Sequence, residues 1–242
     1  MIKKVASLAN SDIKNIRTDP MLLLAFIGPL ILIVVYHTGI PVGLSILESQ
    51  FNVDMRLYEK LVFLVFLFML PLITGMLGGF LMLEEKESQL ITYYSITPLG
   101  QKGYVLFRLT VPFLITFVSV LLFMKFSHFS SMPIIWFIFT AIITSMLAPL
   151  ISLFLASFAT TRVDGFALSK MSSLLIVAPF ILFLVPSGMQ WIGGVLLTFW
   201  ITKLFQSAWS NPSEFIVHLV VSLCAHLIVL LFLCRRFSRQ IA

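Results

Sequence analysis

The chain has 242 residues, of which 60% are hydrophobic and 11% charged, and a formal net charge of +6. A soluble domain carries about 25% charged residues, so the composition excludes a soluble enzyme or binding module and requires an integral membrane protein. The surplus of base is small and bears on topology, not on nucleic acid.

Residues 2–17 do not span. Ile2, Val5, Ala9, Ile13 and Ile16 recur at helical spacing, while Lys3, Ser7, Asn10, Lys14 and Arg17 fill the opposite face, with Lys4 beside them. That pattern predicts an amphipathic helix in the interface, apolar side in lipid and basic side toward headgroups. Asp19 and Pro20 read as a helix start, with a capping carboxylate and proline at the first helical position.

The first span covers residues 21–40, with Gly28-Pro29 as a kink, and residues 41–60 are amphipathic and lie on the far side. Residues 61–83 form the second span, long enough to cross with some tilt. Pro71, Gly75, Gly78 and Gly79 crowd its second half, and Gly75 and Gly79 have the spacing that lets helices approach closely.

A polar island follows at residues 84–98, opening with Glu84, Glu85, Lys86 and Glu87 and closing with Thr97, Pro98 and Leu99. One reading is a short helix across the membrane surface, its acids at the positive end of the helix dipole and Pro98 ending it. Composition alone fits a solvated loop equally well.

The third span covers residues 104–124 and the fourth 133–159. A loop at 160–170 carries Arg162, Asp164 and Lys170, and the fifth span covers 171–185. In residues 186–212 the apolar run is too short to cross, which predicts a re-entrant or interfacial segment. Trp191, Trp200 and Trp209 suit a membrane–water boundary. The sixth span covers 215–234, followed by Arg235, Arg236 and Arg239. With six spans, twelve of the 16 Lys and Arg fall on one side, leaving Arg56, Lys60, Lys125 and Lys203 on the other. That asymmetry predicts cytoplasmic termini and a cytoplasmic island. The expected fold is all-α and membrane-embedded.

No phosphate-loop motif occurs, so ATP hydrolysis by that route is absent from this chain. Asp and Glu fall only at span ends or in loops, which lowers the expectation of an ion-coupled carrier with a mid-membrane carboxylate. Arg108 and Lys125 stand at opposite ends of the third span, where their heads reach the interface. His218 and His226 lie eight residues apart without a carboxylate beside them, which favours interhelical hydrogen bonding or a pore-facing imidazole over a metal pair. Cys224 and Cys234 read as packing residues. Glu84 and Glu85 match half of an intramembrane glutamate-protease motif, but Gln89 stands where that family needs arginine. Catalysis is not expected, and the 24 Phe read as lipid-facing packing.

The order of features resembles the permease subunits of type-2 (ABC-2) ATP-binding-cassette exporters. The most specific match is the run from Glu84 through Ile91, followed by Ser95, Ile96, Thr97, Pro98 and Leu99. It is similar to that family's charged run, small residue, leucine-rich helix and Thr-Pro ending. The family usually has glycine where this chain has Ser88, and aliphatic residues where it has Tyr93 and Tyr94.

The resemblance implies two permease subunits, alike or different, that together form the pathway. Each would dock a separate cytoplasmic ATPase, which uses ATP and Mg, so that this chain binds no cofactor directly. Docking would run through a coupling helix at residues 84–98, with Glu84, Glu85, Lys86, Glu87, Leu90, Ile91, Tyr94, Thr97 and Pro98 as contacts. The leader, with Lys3, Lys4, Lys14 and Arg17, would be a connecting helix to the same ATPase. The first, second and fifth spans would line the path and residues 186–212 would form an outer gate. Replacing Glu84 or Glu85 by Lys is expected to uncouple the ATPase and leave the subunit folded. The competing readings are a membrane scaffold or immunity-type subunit, and an ion-coupled secondary carrier.

Overall fold

A computed structural model of the chain describes residues 20–51, 56–91, 100–127, 132–210 and 212–241. The expected leader helix and its Lys3, Lys4, Lys14 and Arg17, together with Tyr94, Thr97 and Pro98, lie outside the described residues.

Lipid offers no partners for backbone N–H and C=O groups, so a spanning segment must satisfy them internally. The described residues accordingly form helices and short helical turns. They are α1 (Pro20–Val34), a π turn (Val35–Gly39) and α2 (Ile40–Phe51), then α3 (Arg56–Glu87) and α4 (Gly100–Phe126). After them come α5 (Ile134–Ser145), α6 (Leu147–Phe158) and α7 (Arg162–Ser172). The chain closes with α8 (Val177–Leu184), α9 (Leu197–Ser210) and α10 (Phe215–Ile241). Six stretches among the described residues are long and apolar enough to cross a membrane: Leu23–Gln50, Tyr58–Glu87, Gly103–Phe126, Ile134–Phe158, Arg162–Leu184 and Phe215–Gln240.

Several boundaries differ from the sequence reading. The first spanning stretch, Leu23–Gln50, takes in residues 41–50 that were expected on the far side, and the last helix runs on past residue 234 to Ile241. The fifth spanning stretch starts at Arg162, inside the expected loop 160–170. Thr161 and Asp164 form a capping box there: Asp164 N–H donates to Thr161 Oγ1 at 3.2 Å and Thr161 N–H to Asp164 Oδ2 at 3.0 Å. A cap of that kind starts a helix regardless of how polar its first turn is. The helix of the second span likewise runs on through Glu87.

The close-packing glycines of α3 meet α6. A Cβ on Gly75 would sit 2.7 Å from Ala148 O, and one on Gly79 would sit 2.9 Å from Leu155 Cβ. Ser152 Oγ donates to Gly75 O at 2.8 Å across the same contact. Between Pro71 and Pro112, Thr116 Oγ1 donates to Pro112 O at 2.7 Å and accepts from Thr74 Oγ1 at 2.5 Å. That pair ties α3 to α4. With Phe63, Leu64, Leu67, Phe68 and Leu70 fully or nearly fully buried, α3 is the central post of the bundle.

Residues 186–210 fold back on α8. Gln190 Nε2 donates to Leu182 O and Val185 O, both at 3.0 Å, and Thr198 Oγ1 donates to Leu175 O at 2.7 Å, in the turn just before α8. From that depth α9 returns toward the start of α3, where the Trp209 ring lies 5.9 Å from Phe63 and 5.3 Å from Lys60 Nζ.

Candidate functional site

Four consecutive helical residues point in four directions, about 100° apart. At the end of α3 this turns Glu84, Glu85, Lys86 and Glu87 into a hub, each reaching a different neighbour. Carboxylates at a helix C-terminus face the negative end of its dipole, so cations must come from elsewhere in the chain. This corrects the expectation that these acids open a helix: they close α3.

Glu85 is 4% exposed. Its Oε2 accepts from Tyr104 Oη at 2.6 Å and from Arg108 Nε at 2.8 Å, while Arg108 Nη2 engages Oε1, giving a two-point ion pair with α4. Arg108 is itself 8% exposed, so it does not reach for the interface as its place at a span end predicts; the buried carboxylate draws it inward. Glu84 Oε1 pairs with Arg162 Nη2 at 2.6 Å, and Glu87 Oε1 accepts the Arg162 backbone N–H at 2.8 Å. The second contact sets a carboxylate on the N-terminus of α7, where the dipole favours it.

Lys86 turns the other way. Its Nζ donates to Gln240 Oε1 at 3.1 Å, and Gln240 Nε2 donates to Ser157 O at 2.7 Å. Arg236 lies 4.0 Å over the Phe158 ring. The last turn of α3 therefore clasps α4, α6, α7 and α10 at one end of the bundle.

Immediately beyond the clasp the chain turns at Gln89, whose φ of 60° lies in the left-handed region that glycine favours. Leu90 is 42% exposed and Ile91 4% exposed. Ile91 belongs to one buried cluster with Met82, Tyr104, Val105, Leu233 and Phe237. Of the residues expected to touch a partner, Glu85 and Ile91 face the bundle and Leu90 faces out. Glu85→Lys would set two cations against each other in a buried site, so the expectation that it leaves the subunit folded is corrected. Tyr104, Arg108, Arg162, Arg236 and Gln240 were missed as parts of this cluster. Their signal is a charge balance between distant segments, not a spacing.

The opposite end is aromatic. Tyr36 lies 4.7 Å from Phe123 and 5.4 Å from Phe66, Phe63 stacks on Phe123 at 5.3 Å, and Phe63 also meets Phe205 at 5.8 Å. Trp136 stacks on Phe215 at 4.3 Å. Phe63, Phe66, Phe123 and Phe205, read as lipid-facing, thus join the π turn, α3, α4 and α9 internally. Fully buried His226 sits in α10 with Nδ1 donating to Ser222 O at 2.7 Å, and His218 is half-buried one side of it.

A helical bundle with six described stretches long and apolar enough to cross a membrane, clasped by charge at one end and by aromatics at the other, is of the polytopic membrane-protein class. A family model described as "Fluoroquinolones export permease protein Rv2686c-like" matches residues 12–234. The chain belongs to that family, in agreement with its resemblance to ABC-2 permeases. Two curated relatives, the fluoroquinolones export permease proteins of Mycobacterium tuberculosis strains CDC 1551 and H37Rv, are each 24% identical over 245 residues, covering 98% of this chain and 95% of theirs. No solved structure matches the chain.

Proposed function

We propose that this chain is the membrane-spanning subunit of an ATP-driven exporter in the cell membrane. It works as a dimer, alike or mixed, with separate cytoplasmic ATPase subunits that bind and hydrolyse ATP with Mg. The observation that carries the reading is the match of residues 12–234 to an export-permease family. The clasped end is cytoplasmic, supported by the gathering of Lys and Arg on that side. By the relatives' names the cargo is a fluoroquinolone-like aromatic drug.

The clasp supports a mechanism. The stretch opened by Leu90 and Ile91 is the coupling helix, and the ATPase pushes on it. Ile91 belongs to the same buried cluster as Tyr104, Val105, Leu233 and Phe237, so a displacement there is passed through that cluster to α4 and α10. The hub at residues 84–87 spreads the same displacement to α6 and α7 through ion pairs and hydrogen bonds, which hold direction better than a flexible loop. At the other end, residues 186–212 re-enter from the outer side and act as the gate; their fold-back along α8 to the Thr198–Leu175 bond supports this.

Purification in mild detergent, with mass spectrometry and an ATPase assay on the co-eluting proteins, tests the reading. A stoichiometric phosphate-loop protein is expected. An intact permease that never carries one would overturn the ATP-driven reading.

A further inference from the structure

At the aromatic end the first long helix leaves α geometry at Val35–Gly39, where the Ile40 N–H bonds to Val35 O and one extra residue enters the turn. Such π turns give up good hydrogen-bond geometry and gather at functional sites. This one fronts a cavity of about 490 Å³ between the turn, α2, the start of α3 and the end of α4. That is the size of a small-molecule site, about 300–1,000 Å³.

The cavity has two kinds of wall and one charge. Tyr36, His37 and Phe126 supply flat faces, with Tyr36 and His37 rings 5.0 Å apart at 87° and His37 and Phe126 rings 6.0 Å apart at 75°. Tyr36 is buried and held by Phe63, Phe66 and Phe123, so this face is rigid. Ile33 and Leu44 supply aliphatic wall. The charge is Glu59, which makes no ion pair or hydrogen bond among the described residues. Its neighbour Lys60 is turned to the Trp209 ring instead.

A carboxylate beside low-dielectric walls attracts cations and repels anions. One carboxylate cannot complete the six to eight oxygens that a hard metal ion takes. Aromatic faces favour an organic cation through their quadrupoles. We infer that this cavity binds an amphiphile with a flat aromatic body and a cationic nitrogen, with the nitrogen on Glu59 and the ring system between Tyr36, His37 and Phe126. The inference deepens the export reading, from which it takes its bearing on transport; the binding itself needs neither ATP nor a partner.

Ethidium, a flat aromatic cation, is titrated by fluorescence into the purified full-length permease in detergent, with Nile red as a neutral aromatic control. Glu59→Gln is expected to weaken ethidium binding about tenfold, the scale of one lost charge pair at a binding site, and to leave Nile red binding unchanged. Glu59→Asp, which keeps the charge, is expected to retain most of the affinity, and added salt is expected to weaken ethidium binding to the wild type. Equal ethidium affinity in wild type and Glu59→Gln would overturn the site. So would salt-independent binding, or displacement of ethidium by phosphatidylethanolamine but not by phosphatidylglycerol, which would mark the occupant as a lipid ammonium group. Glu59-dependent binding without any ATP-driven export would keep the site and overturn the export reading instead.

Discussion

Glu85→Gln is the sharpest probe of the clasp. The amide has nearly the shape of the carboxylate and can still accept from Tyr104, so packing is preserved and only the charge is removed. What remains is a guanidinium that is 8% exposed with no counter-charge on its two-point partner. Removing one member of a buried pair costs about 3–5 kcal/mol, because the other charge stays desolvated. One kcal/mol moves the melting temperature of a 150–250-residue chain by about 2–4 °C, so a loss on the order of 10 °C is expected. Glu84→Gln is the matched control. Its partner Arg162 and Glu84 itself have side chains 42% exposed, and such pairs are worth under about 1 kcal/mol. Heating in detergent followed by size-exclusion chromatography with tryptophan detection reads both variants. The double variant Glu85→Leu with Arg108→Met removes both charges and is expected to be more stable than Glu85→Gln alone. Equal melting of Glu85→Gln and Glu84→Gln would refute the buried-pair account.

Glycine substitutions are expected to change sign with position. Gly75→Ala drives a Cβ to within 2.7 Å of Ala148 O and is expected to cost about 1–3 kcal/mol as overpacking, whereas Gly43→Ala meets nothing within 4 Å inside α2 and is expected to stabilise slightly; thermal melting of the two variants checks this. Leu90→Asp is expected to lower co-purification of the ATPase and leave the melting temperature unchanged, while Ile91→Asp, at a site 4% exposed, is expected to lose the fold first; a pull-down paired with a melt separates them. Gln89→Gly relieves a left-handed residue and is expected to be neutral or stabilising by up to about 1 kcal/mol, against a clear loss for Gln89→Val; the order of the three melting temperatures is the readout.

The spans were legible because lipid permits so few backbone solutions: an apolar run of sufficient length must be a helix. Gly75 and Gly79 stood out for the same kind of reason, since small residues one turn apart announce a close approach. What they approach was hidden, because Ala148, Ile151 and Leu155 look like any other apolar residues of a span. The clasp was least legible. Glu84, Glu85, Lys86 and Glu87 resemble a loop or a helix start when read locally, because the cations that make them a helix end lie in other segments. Arg108 sits where a snorkelling arginine would sit, and only the position of Glu85 distinguishes a buried pair from an exposed one. Arg162 looks like a loop residue until the Thr161–Asp164 cap is seen to start α7. The π turn at Val35–Gly39 leaves no compositional trace at all.

The central claim is that transport is driven by ATP hydrolysed on a separate subunit. It is tested most directly in inside-out proteoliposomes holding the permease and its co-purifying ATPase, by following uptake of a fluorescent drug with ATP and Mg, with a non-hydrolysable analogue, and with an ionophore. Uptake that needs hydrolysable ATP and survives the ionophore is the predicted result. Uptake that proceeds without ATP and collapses with the ionophore would contradict the account and make the chain an ion-coupled carrier.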